Sequence, residues 1–428
     1  MDEQAKTIRV ACIGLGPRGL GQMKELLNVP GVGVCAVCDQ CEDRALEGAA
    51  AVEERTAQRP AIYTDYRRLL KKEGESLDAV LCCTTWITHS RIAVDAMRAG
   101  CHVAAEVGGA ASMGECWELV RASEETGKFC MLLENCCYDR NEMALFHMQR
   151  QGLFGEVVHC EGGYRHDLRE EIAFGRENRH GRLANFIHRN GELYPTHQLG
   201  PIAKLLGINR GNRFLTVSSI AGKARGLHEY IQTQPRLEYL KNQVFNEGDV
   251  VDTTITCANG ETIHLVHDCS LPRPYSRGYA LQGTRGIYQE APFGNAIFIE
   301  GLLGKKEGWD HSWEKFDDHR EKFEHPLWAR YLDEGVHFGG HGGMDFLVLS
   351  AFVDAVLCGA TPPIDVYDTA AWMSVTALSE QSVALGGAPV PVPDFTNGRW
   401  IDREPFRRGI YCLEDVCGEC FLESNLKN

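Results

Sequence analysis

The chain has 428 residues, 44% hydrophobic and 24% charged, which is enough apolar material for more than one core and leads us to expect two domains. Its 59 acidic residues outnumber 44 basic ones, and the net charge of −15 repels phosphate backbones and anionic lipid, which argues against nucleic-acid and membrane partners. The first apolar block, in "MDEQAKTIRVACIG", runs straight into a glycine loop and no stretch reaches bilayer-spanning length, so a cytoplasmic protein is expected.

"IRVACIGLGPRGLGQMKELL" reads as a strand, then Gly14-x-Gly16-x-x-Gly19, then a helix with apolar spacing at Leu20, Met23 and Leu27. In such a fingerprint Gly14 serves the tight turn, Gly16 lets the backbone approach a pyrophosphate, and Gly19 lets helix and strand pack closely. The phosphates would sit on the helix N-terminus. A second strand, "VGVCAVCD", ends in Asp39, whose carboxylate is placed to accept hydrogen bonds from an adenosine ribose and to repel a 2′-phosphate, so NAD is expected over NADP. Further on, "DAVLCCTT", the helical "WITHSRIAVDAMRAG", "CHVAAEVG" and "CMLLENCCY" alternate strand with helix. That alternation implies a parallel sheet with ligands at strand C-terminal ends, where Trp86, His89, Glu106, Glu134 and Asn135 fall.

Eighteen cysteines raise the question of metal. Cys35, Cys38 and Cys41 in "CAVCDQC" have the two-residue spacing of an iron–sulfur or zinc site. The same residues read as a strand, on which Cys35 and Cys38 point to opposite faces, and we favour that reading. The tail "CLEDVCGEC", with Cys412, Cys417 and Cys420, lacks an evident fourth ligand. Cys82–Cys83 and Cys136–Cys137 lie in apolar runs and read as small hydrophobes. No metal site is expected.

From about residue 140 the pattern changes to "FGEVVHCEGGYRHDLR", "FLTVSSIAG", "VDTTITCANGETIHLVHDCS" and "YALQGTRGIYQE", alternating segments whose Asn259-Gly260 fits an antiparallel hairpin. Within "RNGELYPTHQLGPI", Pro195 pushes Tyr194 toward an extended conformation. Pro201 would remove a helical hydrogen bond to His197, so a phenol and an imidazole are expected at a break in regular structure.

The first third resembles the glucose-fructose oxidoreductase and inositol dehydrogenase superfamily. That likeness implies an α/β fold: an N-terminal Rossmann domain, here 1–140, and a C-terminal α+β domain, 141–428, with a large open, mostly antiparallel sheet. Helices of about 343–386 would pack back on the first domain. Dehydrogenases of that superfamily use the lysine of a Glu-Lys-Pro motif on the substrate alcohol, whereas this chain reads Glu106-Val107-Gly108. "LLENCCY", "GGYRHDLR", "HRNGELYPTHQLGP", "NRGNRF", "KARGLHEY", "LPRPYS" and "GHGGMDF" together resemble glycoside hydrolase family 109, the NAD-dependent α-N-acetylgalactosaminidases, from the glycine loop to about residue 390.

By that resemblance Arg18, Gly19, Asp39, Trp86, Ile87, Thr88, His89, Glu106, Val107 and Asn135 match cofactor-binding positions, beside Gly14 and Gly16 of the fingerprint. Tyr164, Arg182, Tyr194, Pro195, Thr196, His197 and Tyr275 match sugar-binding positions, and Glu134 at a strand end is a candidate to hold substrate. The family chemistry implies transient oxidation at C3 of the sugar, removal of the acidified C2 proton, elimination of the aglycone from C1, water addition and re-reduction. With the lysine absent, His197 is the candidate for the C3 hydroxyl. Tyr164 is the candidate C2 base, a phenol that Arg182 and the nicotinamide would have to favour as phenolate. His166, His188 and His341 read as hydrogen-bonded supporting groups. The expected partner is a small glycoside; a homo-oligomer is left open. A plain NAD-dependent sugar dehydrogenase is the alternative.

Overall fold

The computed structural model describes residues 7–303, 312–335, 339–403 and 409–414. The chain divides into two compact units, Met1–Tyr138 with Leu332–Ala370 and Asp139–Tyr331 with Ala371–Asn428. The helix Met344–Cys358 belongs to the first unit, and the helix Val366–Ala384 begins in the first and ends in the second.

The first unit is built on six parallel strands: β1 (Ile8–Ile13), β2 (Val32–Cys38), β3 (Ala61–Tyr63), β4 (Ala79–Cys82), β5 (His102–Ala105) and β6 (Cys130–Leu132). They are ordered β3-β2-β1-β4-β5-β6. The central strands β1 and β4 are almost wholly buried, which is why they read as continuous apolar runs rather than alternating ones. The order reverses between β1 and β4, so the crevice for a ligand opens beyond their C-terminal ends.

The second unit carries nine strands: β7 (Val157–Arg165), β8 (Phe214–Ala221), β9 (Val251–Cys257), β10 (Thr262–Asp268), β11 (Ala280–Gly283), β12 (Gly286–Gln289), β13 (Ala296–Ile299), β14 (Glu314–Lys315) and β15 (Val390–Pro391). Their order is β14-β13-β12-β11-β7-β10-β9-β8-β15, antiparallel throughout except for the β7–β10 pair. The β9–β10 hairpin turns at Asn259-Gly260, with Gly260 at φ +102°. In β9, Val251, Thr253, Ile255 and Cys257 face inward and their neighbours face out, the half-buried pattern that the sequence alternation predicts.

Cys35 and Cys38 lie in β2, with Cys35 half-buried and Cys38 buried, and Cys41 caps the following helix. Burial pushes the Cys38 thiol up to about 12. Cys82, Cys83, Cys136 and Cys137 are buried. Cys412 is buried too, while Cys417 and Cys420 lie outside the described residues. Among the described residues no helix is long and apolar enough to cross a membrane.

Candidate active site

The glycine loop links β1 to the helix Pro17–Leu26. Gly14 sits at φ +89°, and a Cβ there would fall 2.6 Å from the Cys83 carbonyl carbon. A Cβ on Gly19 would lie 2.0 Å from the Gly14 oxygen. Gly16 differs, because the nearest atom to a Cβ there would be Arg44 Nη1 at 3.5 Å. It precedes the helix with no side-chain cap, which leaves first-turn amides for an anion. At the end of β2 the buried Asp39 is held by two backbone donors, Leu15 N–H to Oδ2 at 2.7 Å and Cys41 N–H to Oδ1 at 2.8 Å. Each oxygen keeps a lone pair for a ribose hydroxyl. This donor set fits a dinucleotide.

Arg18, on the first turn of that helix, is gripped within the same unit. Nη1 and Nη2 donate to Asp345 at 2.6 and 2.9 Å, Nε donates to Glu106 Oε2 at 3.2 Å, and His341 Nδ1 lies 3.2 Å from Nη1. Asp345 also accepts from Asn135 Nδ2 at 2.8 Å, which ties the end of β6 into the cluster. Burial works against the Asp345 anion, but hydrogen bonds from His341 and Arg18 hold its carboxyl well below the usual range. Glu106 accepts further from Gln22 Nε2 at 2.9 Å and from Val107 N–H at 3.2 Å. The two residues that depart from Glu-Lys-Pro have visible uses: Val107 is buried, and Gly108 makes room for an indole, since a Cβ there would lie 2.5 Å from Trp86 Cδ1.

Trp86, Ile87, Thr88 and His89 form the first turn of the helix after β4. Ile87 is 60% exposed. His89 Nε2 donates to Thr84 O at 2.7 Å, and burial lowers its pKa, so the ring is a neutral fixture. Glu134 is fully buried, and its Oε1 accepts from Cys136 N–H at 3.2 Å.

The sugar-site candidates gather in the second unit. Tyr164, near the end of β7, is buried against Tyr194, with ring centroids 4.5 Å apart, and against His197 at 5.4 Å. Tyr194 Oη lies 3.5 Å from His197 Nε2. The Arg182 guanidinium carbon stands 5.9 Å from the Tyr164 ring centroid and 5.4 Å from that of Tyr194, and Arg182 Nε is 3.3 Å from Glu171 Oε1. Tyr275, 52% exposed, closes the group at 6.2 Å from Tyr164. Burial raises the Tyr164 pKa, and the charge and hydrogen bond of Arg182 pull it back only in part. In this unit alone Tyr164 is a phenol.

The Tyr194–His197 segment is more regular than its two prolines suggest. Pro195 caps a helix, Thr196–Leu205, that runs through Pro201. His197 and the fully buried Thr196 therefore lie in a first helical turn, and only Tyr194 precedes it. Pro201 has no N–H for the His197 carbonyl, yet the helix continues because all its residues but His197 are buried and packing holds it.

Several neighbours were not singled out as site residues from the sequence. His166 stacks on Tyr164 at 5.8 Å and meets Tyr275 at 5.1 Å. Glu171 faces Arg182, and Asp345 holds Arg18. Asp345 lies inside "GHGGMDF" and His166 inside "GGYRHDLR", so the motifs marked the neighbourhood without assigning these roles.

Comparisons with known proteins place this chain among relatives. Residues 8–133 match the family described as "Oxidoreductase family, NAD-binding Rossmann fold", and residues 138–402 match "Glycosyl hydrolase 109, C-terminal domain". A glycosyl hydrolase family 109 protein of Stenotrophomonas maltophilia is 41% identical over 429 residues, covering 94% of this chain and 92% of its own. An alpha-N-acetylgalactosaminidase of Tannerella forsythia is 39% identical over 421 residues, covering 93% and 88%. Among solved structures, a levoglucosan dehydrogenase in complex with NADH and levoglucosan shares the fold, with a TM-score of 0.67 at 17% identity over 91% of this chain and all of that one.

Proposed function

This chain belongs to the glycosyl hydrolase 109 family, and from that premise we propose that it releases terminal N-acetylgalactosamine, or a related hexosaminide or hexoside, from a small glycoside. Its first domain is an NAD-binding Rossmann fold. The observation that carries the reading is the Tyr164, Tyr194, His197 and Arg182 constellation, which gathers two phenols, an imidazole and a guanidinium in one aromatic cluster.

Gly14, Gly16, Arg18, Gly19 and Asp39 would hold the pyrophosphate and ribose of NAD, and Trp86, Ile87, Thr88, His89, Glu106, Val107 and Asn135 would complete its pocket. Bound NAD would supply a two-electron acceptor for C3 of the sugar, which makes the C2 proton acidic. His197 Nε2 takes the C3 hydroxyl proton, with Tyr194 Oη fixing its ring. Tyr164 Oη takes the C2 proton, and the carbanion's electron pair forms the C1–C2 double bond as the aglycone leaves with the C1–O pair. Water then adds at C1 and its proton goes to the aglycone oxyanion, Tyr164 returns a proton to C2, and His197 returns its proton to the C3 oxygen as the hydride held by the cofactor would come back to C3, which leaves no net oxidation. Arg182 stabilises the phenolate between those two transfers. Pro195, Thr196 and Tyr275 are assigned to shaping the sugar pocket.

A panel of α- and β-linked aryl N-acetylgalactosaminides, N-acetylglucosaminides and neutral hexosides, assayed with NAD, tests the proposal. Release of aglycone without lasting NADH absorbance is expected. Stoichiometric NADH without aglycone would mark a sugar dehydrogenase instead.

A further inference from the structure

Three ionisable side chains that this chemistry does not use lie sealed behind the sugar-site residues. Glu192, Glu247 and His267 are each 2% exposed or less. His267 Nδ1 stands 3.2 Å from Glu247 Oε1. Each carboxylate reaches the site backbone: Glu247 Oε2 accepts from Gly191 N–H at 3.0 Å, and Glu192 Oε1 accepts from Tyr194 N–H at 3.2 Å. The Glu192 N–H donates to Ser379 Oγ at 2.7 Å. His267 stands opposite Tyr164 in the β7–β10 register, and the Cys269 thiol donates to the Tyr164 carbonyl at 3.6 Å.

Apolar side chains could fill this space without the desolvation cost of two carboxyls. What they could not supply is direction, because only acceptors at these points fix the backbone of Gly191 and Tyr194. We propose that the Glu192–His267–Glu247 cluster is the positioning device of the sugar site: it holds Tyr164 and the Tyr194–His197 edge at one spacing, and does so only while it keeps the protons that balance its charge. The inference rests on the reading of Tyr164, Tyr194 and His197 given above.

The charge argument is short. Two carboxylates and one imidazolium leave a net negative charge in a sealed space, which one more proton cancels. Burial raises Glu192 to about 7, with His267 and the Tyr194 N–H pulling down and Glu247 pushing up. Burial also raises Glu247. For His267 burial works against the cation, but Cys269, Glu247 and Glu192 outweigh it and lift its pKa well above the ordinary value. Glu380, which also faces Glu247, is neutralised by Arg189 through two hydrogen bonds of 2.7 Å. Glu192, raised to about 7, loses its proton near neutrality, and that loss adds a negative charge next to Glu247.

The test compares Glu192→Gln and Glu192→Leu with the unmodified enzyme, NAD bound throughout. An aryl N-acetylgalactosaminide assay from pH 5 to 9 is combined with hydrogen–deuterium exchange of peptides covering 189–199 and 157–165. Glutamine keeps the neutral form, so E192Q should retain turnover and move the descending limb of kcat upward by about one pH unit or more. E192L should lose kcat on the order of tenfold with a smaller change in KM, and exchange faster in both peptides but not over β1. Superimposable pH profiles for E192Q and the unmodified enzyme would overturn the proposal even if E192L failed to fold, as would unchanged kcat and exchange in E192L. Faster exchange in an E192L protein whose parent cleaves no glycoside would support the positioning device while defeating the glycosidase reading.

Discussion

At Tyr164 burial and charge compete, and their balance sets the pH at which the phenol can act. Burial raises its pKa and Arg182 opposes that rise. Replacing Arg182 with Met removes the opposing cation, so the pKa climbs further, the ascending limb of turnover shifts to higher pH, and activity at pH 7 falls; a pH–rate profile reads the shift directly. Tyr164→Phe removes the base altogether. Turnover should fall on the order of a hundred- to ten-thousand-fold while NAD affinity by calorimetry stays the same. Asp39 poses a separate question of specificity. Its carboxylate is fixed by Leu15 and Cys41 N–H groups, and it should repel a 2′-phosphate more than it attracts a ribose. Asp39→Ala is therefore expected to weaken NAD and to narrow its preference over NADP; titration of both dinucleotides would show it, and an unmodified protein that bound the two equally would contradict it.

Among the elements, the β1 loop separates folding from binding within one fingerprint. A Cβ at Gly19 meets the Gly14 oxygen at 2.0 Å, so Gly19→Ala should cost the fold and lower the melting temperature, whereas a Cβ at Gly16 meets only an arginine side chain at 3.5 Å. Gly16→Ala should melt within about 2 °C of the parent yet bind NAD on the order of tenfold more weakly, because the added methyl occupies the pyrophosphate's approach. The glycines were legible in the sequence since each obeys a local backbone rule. Asp345 was not, because it meets Arg18 across 327 positions of chain and no local rule links residues so far apart. The helix Thr196–Leu205 was misjudged for a related reason: Pro201 is a local breaker, but near-complete burial of the helix overrides it.

For the whole molecule, buried carboxyls impose an acid-side optimum of stability. Burial raises Glu142 to about 8, against the pull of Arg277 and Gln198, and raises Glu192 to about 7. An acid whose folded pKa lies above its unfolded value gives stability that is complete below the unfolded value and is lost as pH rises through the folded one. Asp345 is displaced the other way, so its share is lost as pH falls. The melting temperature should therefore peak at about pH 4, above the ordinary aspartate value and below the ordinary glutamate one, and decline as pH rises toward 8, and a Glu142→Gln, Glu192→Gln double variant should flatten the decline. Five strands of the parallel sheet and the β9–β10 hairpin were readable from apolar runs and Asn259-Gly260, whereas the three-residue edge strand β3 was too short to leave such a run. The assembly of Tyr164, Arg182, Tyr194, His197 and Tyr275 around one cluster was implied by family motifs, since the residues come from a strand, two helix starts and two loops. The central claim is that a tyrosine takes and returns the sugar's C2 proton during glycoside cleavage. Running the reaction in deuterium oxide and reading the product by NMR tests it most directly: the account predicts aglycone release with deuterium at C2, and aglycone release with protium retained at C2 would contradict it.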